Sequence, residues 1–165
     1  MRKLSCLVAM LLLSLATFVI SAANRAAEHR LDNEEQLAVK IDSLLASRKW
    51  VFRPTTMQNP SLGTTRDVYA YNLSMALDGD NVTLHLPIEA VSYVIYTVSA
   101  TLSVQNYSSS EVEGGWWRLL FTVEYEQEEW AVEVFVRPST GEARVAIVAR
   151  EWVMRYIGSL YSLQK

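Results

Sequence analysis

Five acidic residues, Glu124, Glu126, Glu128, Glu129 and Glu133, crowd into one short stretch of the chain. Paired carboxylates at such spacing can act as acid and base in glycoside cleavage. Here they fall at a hairpin end and on the polar parity of their strands, so a solvated edge is the first reading and calcium capture the second. His29 and His85 are the sole histidines. A metal centre needs three or four converging ligands, so neither a metal nor a cofactor is expected. Ser108, Ser109 and Ser110 have no nucleophile elbow and no histidine partner, and no catalytic residue is assigned. Aromatic residues remain, with five Trp and eight Tyr. Trp117 and Trp130 suit a core, whereas Trp116 has the opposite parity at a strand start. Tyr93, Phe135 and Trp152 also fall off the core parity. Exposed aromatics near loop ends form platforms for sugars or apolar ligands, which makes Trp116, Tyr93, Phe135 and Trp152 the candidate ligand-binding residues. The alternative is that they pack beneath a helix or loops.

These side chains must be positioned by strands. From Trp116 to Ala149 apolar residues fall on every second position in three consecutive runs: Trp117, Leu119, Phe121, Val123 and Tyr125; Trp130, Val132, Val134 and Val136; Val145, Ile147 and Ala149. A period of two is the signature of a sheet with one buried face. Upstream, Asp32 or Asn33 caps an amphipathic helix over 32–47 carrying Leu37, Ile41, Leu44 and Leu45. Trp50, Val51 and Phe52 form a short strand stopped by Pro54, and residues 55–66 read as a loop. A strand over 67–77 turns at Asp78-Gly79 into Val82, Leu84 and Leu86. Residues 91–104 make a longer or bent strand, Tyr107 to Gly115 a loop, and Trp152, Met154, Tyr156 and Leu160 a last strand bent at Gly158. The expected fold is mainly β, an antiparallel meander closing as a small barrel with the helix on it, or alternatively a β-sandwich.

The N-terminus bears on location. Arg2 and Lys3, an apolar run from Leu4 to Ile20, and Ser21-Ala22-Ala23 form a secretory signal, with cleavage after Ala23 or Ala22. Residues 1–23 are thus a signal peptide, 24–31 a flexible leader and 32–165 one domain. The single cysteine, Cys6, lies inside the apolar run, so the chain is not a lipoprotein and its mature part contains no cysteine. Loss of Arg2 and Lys3 moves the net charge from -3 to -3 - 2 = -5. A mildly acidic chain without a basic run argues against nucleic acid as partner. No apolar span follows the signal, so no transmembrane segment is expected after cleavage.

Several stretches resemble a family of small exported proteins of gut-type Gram-negative bacteria, domain-of-unknown-function family 4251. They are Trp50-Val51-Phe52-Arg53-Pro54, the step Leu86-Pro87, Thr140-Gly141-Glu142-Ala143 leading into Val145, and Arg155-Tyr156-Ile157-Gly158-Ser159-Leu160. The resemblance covers roughly residues 37–160. It implies a lipocalin-like antiparallel topology and a periplasmic or extracellular address, and it carries over no activity. Where the family follows its Leu-Pro step with an aromatic residue and a glycine, this chain has Ile88 and Glu89. The expected function is a non-enzymatic binding or interaction module of the cell envelope, its partner a glycan, a lipid or an envelope protein. A hydrolase of envelope glycan or lipid and a structural subunit of an envelope complex are the alternatives.

Overall fold

The computed structural model describes residues 28–68, 72–89 and 94–163. The expected signal peptide, leader residues 24–27, and Tyr93 lie outside the described residues. The chain divides into two units, Met1–Gln36 and Leu37–Lys165. In the first, residues 28–36 are helical, with Asn33 Nδ2 3.4 Å from His29 Nδ1. Helix α1 is described over residues 28–47. It takes in four positions read as loose leader, because Glu28, Arg30 and Leu31 are good helix formers and the Asp32 cap goes unused. In the second unit, Ile41 and Leu45 are buried with Leu37 and Leu44 alongside, which are the positions helical spacing selects. Asp42 accepts a 3.0 Å hydrogen bond from Trp117 Nε1, and Arg48 ends the helix at a left-handed φ of 54°.

The strands are β1 (Lys49–Asn59), β2 (Thr64–Asp67), β3 (Ser74–Asp78), β4 (Asn81–Glu89), β5 (Ile95–Ser103), β6 (Gln105–Val112), β7 (Trp116–Tyr125), β8 (Glu128–Arg137), β9 (Glu142–Val148) and β10 (Val153–Ser162). All ladders are antiparallel, in the order β5-β4-β3-β1-β10-β9-β8-β7-β6, with β2 paired to β1. The mainly β antiparallel fold expected from the alternation is therefore present. Val132 and Val134 are 1% and 0% exposed, in a core shared with Trp50, Phe52, Phe121 and Trp130.

The two outermost strands, β5 and β6, are consecutive in sequence, separated by Val104. Nine strands laid flat would hold their edges roughly 40 Å apart at about 4.8 Å per strand. A one-residue link cannot span that, so the sheet curls and encloses its apolar face. The stretch 95–112 pairs with β4 through its first half and with β7 through its second. Among the described residues no ladder joins β5 to β6, so the hydrogen-bonded sheet is not closed, which is compatible with either a barrel or a sandwich.

Of the strand expected over 67–77, only Asp67, at the end of β2, and Ser74–Leu77, in β3, lie in strands among the described residues. Three further local expectations change. Pro54 does not stop β1, because the register against β10 shifts between Pro54 and Thr56, and a bulge is a place where a strand tolerates proline. The segment expected as a loop over 55–66 then continues β1 and returns as β2. The serine-rich stretch after Tyr107 is β6, an edge strand held to β7 with Tyr107 stacked on Phe121 at 6.2 Å. An edge strand exposed over most of its length carries little apolar alternation to mark it.

Candidate functional site

On β7, β8, β9, β10 and β1, every second side chain points away from the core. The outward rows follow from the registers. Arg118 lies opposite Phe135, Phe135 opposite Arg144 and Arg144 opposite Ile157. Glu133, Ala146 and Arg155 form the next row, and Arg137, Glu142, Ser159 and Arg53 the row on the other side. Each of these neighbouring strands thus contributes one arginine to the same outer face.

Trp116 begins β7 beside this array. The guanidinium carbons of Arg137 and Arg144 lie 4.6 and 4.9 Å from its ring centroid, within cation–π distance. Arg53 approaches Tyr161 at 5.4 Å. Two arginines also meet carboxylates: Arg118 Nε donates to Glu133 at 2.7 Å, and Arg144 donates to Glu142 through Nε at 3.0 Å and through a terminal nitrogen at 2.8 Å. Among the described residues Arg53, Arg137 and Arg155 have no carboxylate partner, and Arg137 Nε is buried without a hydrogen-bond acceptor. Between the rows lies a groove of about 380 Å³ lined by Gln58, Glu133, Phe135, Arg144, Arg155 and Ile157. A cleft of about 420 Å³ beside the helix includes Lys40, Leu44, Thr140 and Tyr161. The outer groove is the stronger candidate, because guanidiniums and an unclaimed aromatic converge there.

The four aromatics read from the sequence separate. Trp116 and Phe135 come together on the outer face, both half-buried. Trp152 is 8% exposed and packs edge-on against Trp130 at 5.1 Å, so it belongs to the core and offers no surface platform. Tyr93 lies outside the described residues. The arginines were missed as a set. Their outward parity was legible strand by strand, but which strands adjoin was not.

The acidic residues disperse into separate tasks. Glu128 accepts from Trp130 Nε1 at 3.1 Å and from the Arg150 amide at 3.0 Å. Glu124 and Glu129 are cross-strand partners, both exposed on the outer side. A glycosidase acid needs an apolar setting that keeps its proton, which an exposed face does not supply. His85 is exposed, with Nδ1 2.7 Å from Ser99 Oγ. Among the described residues no His, Cys, Asp and Glu side chains group as a metal centre requires, and no helix is long and apolar enough to cross a membrane.

A second polar cluster, absent from the sequence reading, surrounds Glu89. Its side chain is wholly buried, meets Arg66 at 2.8 Å and accepts a hydrogen bond from the Thr64 hydroxyl, while Asn59 Nδ2 donates to its backbone carbonyl. The Arg66 and Thr64 hydrogen bonds hold the carboxyl below its ordinary pKa although burial opposes them. Nearby, the buried Tyr156 hydroxyl donates to the Pro87 carbonyl at 2.7 Å, and burial pushes its pKa up. These bonds pin the β1–β2 hairpin and β10 to the end of β4.

No protein-family model matches the chain. No curated protein matches it either. Among solved structures it is similar to the crystal structure of a DUF4251 family protein from Bacteroides eggerthii DSM 20697. That likeness has a TM-score of 0.62 at 16% sequence identity and covers 78% of this chain and 87% of that chain. It shows a shared fold, with a protein of the same family that the residues themselves resemble.

Proposed function

We propose that this chain is an exported, non-enzymatic binding module of the cell envelope, whose contact surface is the outer face around Trp116 and Phe135. The observation that carries this reading is the indole of Trp116 held by Arg137 and Arg144 on the sheet face that the core does not use. A fold needs buried aromatics on the inner face, and Trp50, Phe52, Phe121 and Trp130 already supply them. An aromatic set among cations, one of which, Arg144, lines a groove together with Phe135, has the composition of a recognition surface. Of the carboxylates that a hydrolase would need, Glu133 is engaged by Arg118 and Glu128 by Trp130, while Glu124 and Glu129 stand exposed. The signal-like N-terminus and the resemblance to exported proteins support the envelope address.

The test uses the chain expressed with its own leader and purified as a bacterial host leaves it. A panel of glycans, lipid vesicles and envelope extracts is scored by Trp fluorescence and melting temperature. At least one component should shift both signals, and Trp116→Ala should abolish the response while leaving the unfolding transition intact. A response that survives Trp116→Ala together with Phe135→Ala would move the contact surface elsewhere. Silence across the panel would remove the binding reading.

A further inference from the structure

We infer that the outer face of β7, β8, β9, β10 and β1 binds a linear anionic glycan through its carboxylate or sulfate groups. This rests on the binding-module reading above and gives its ligand a chemistry. Arg118, Arg137, Arg144, Arg155 and Arg53 stand one to a strand across adjacent strands. With strands about 4.8 Å apart and about 3.3 Å per residue along them, the array is a staggered stripe roughly 20 Å long and about 13 Å wide, spread over three rows. Glu133 and Glu142 answer only part of its charge, while the chain as a whole is acidic, with a formal charge of -3.

Every cation in the stripe is an arginine. A planar guanidinium offers paired donors matched to carboxylate or sulfate oxygens, and its fork loses less freedom per bond than a lysine does. Stacking on Trp116 holds Arg137 and Arg144 in place before any ligand arrives. The groove along Phe135 and Ile157 gives the apolar faces of sugar rings a surface to lie on.

The same face disfavours other polyanions. Farther along it stand the exposed carboxylates of Glu124 and Glu129. A membrane plane docked here would bring them against anionic headgroups, whereas a single chain lying along the stripe avoids them. Single-stranded nucleic acid relies on bases stacking on free aromatic faces, and guanidiniums already occupy the Trp116 ring.

The experiment titrates the purified chain with polygalacturonate, heparin and neutral dextran, with phosphatidylglycerol vesicles and a thymidine oligonucleotide alongside. One or both acidic glycans should bind, and which one responds separates carboxylate from sulfate recognition. Affinity should fall roughly tenfold when salt rises from about 50 to about 200 mM, as counterion release requires. Arg137→Gln with Arg155→Gln should weaken binding about tenfold or more at unchanged melting temperature, whereas Glu133→Gln should strengthen it by freeing Arg118. Dextran binding equally well, indifference to the arginine substitutions, or preference for vesicles or the oligonucleotide would overturn the inference. A neutral glycan lost on Trp116→Ala would leave the binding surface standing and remove its anionic ligand. No binding to any probe would remove both.

Discussion

Glu89 is a buried carboxylate whose environment works in both directions: burial favours the acid form, while hydrogen bonds from Arg66 and Thr64 favour the anion and win. Its folded pKa therefore lies below the ordinary value of 4.5, so in acid the unfolded chain binds the extra proton. The stabilisation is complete above that value and is lost as pH falls through the lowered folded pKa. Glu89→Gln should cost about 2 kcal/mol at pH 7, a magnitude restrained by the half-open position of Arg66. The gap to the parent chain should narrow below about pH 4. Urea unfolding at neutral and acid pH reads both effects, and equal midpoints at pH 7 would show that the clamp contributes nothing. At this scale the sequence was partly legible. Trp116 and Phe135 announced their outward direction by parity, and Trp152 shares the parity of Met154 and Tyr156, so the same rule places it with the core where it is found. Glu89 was opaque because its partners Asn59, Thr64 and Arg66 lie in a stretch that reads as loop.

Among the elements, the crossing of β1 over β10 is the tightest. A Cβ built on Gly158 would stand 2.0 Å from the Arg53 carbonyl oxygen and 2.8 Å from Pro54 Cα, and both are backbone atoms with little room to yield. Gly158→Ala should therefore cost about 3 kcal/mol or more and lower the melting temperature by roughly 10 °C. A variant melting within a degree of the parent would show that the bulge is soft. The hairpin between β7 and β8 offers the opposite change. Glu126 and Gln127 both sit at positive φ, 52° and 69°, a conformation that two-residue hairpins fill best with Asn-Gly. The double substitution Glu126→Asn with Gln127→Gly should stabilise by about 1 kcal/mol, visible as a rise of a few degrees in thermal unfolding. No rise would mean that local contacts already offset the strain. Elements rich in alternating apolar residues, β7, β8 and β9, were legible from spacing alone. The full lengths of β1 and β6 were not, since a bulge around Pro54 and an exposed edge leave no period to read.

For the whole molecule, the N-terminal pattern predicts export with a cut after Ala23. Chain recovered from the envelope fraction of a bacterial host should begin at Asn24 and carry no lipid, as intact mass and terminal sequencing will read. Chain retained in the cytoplasm at full length would overturn that. The sequence by itself determined which side chains share a face, because alternation along a pleated strand is a local property. It thereby selected an antiparallel sheet with an apolar interior built without disulfides. Strand order was decided only by the tertiary structure, because pairing between distant strands depends on which apolar surfaces bury one another, and no local period encodes that. The placement of β1 against β10 brings Arg53 onto the outer face that carries Arg155, Arg144, Arg137 and Arg118. Arginines that look like scattered surface charges in the chain gather in three adjacent rows on one face of the curled sheet.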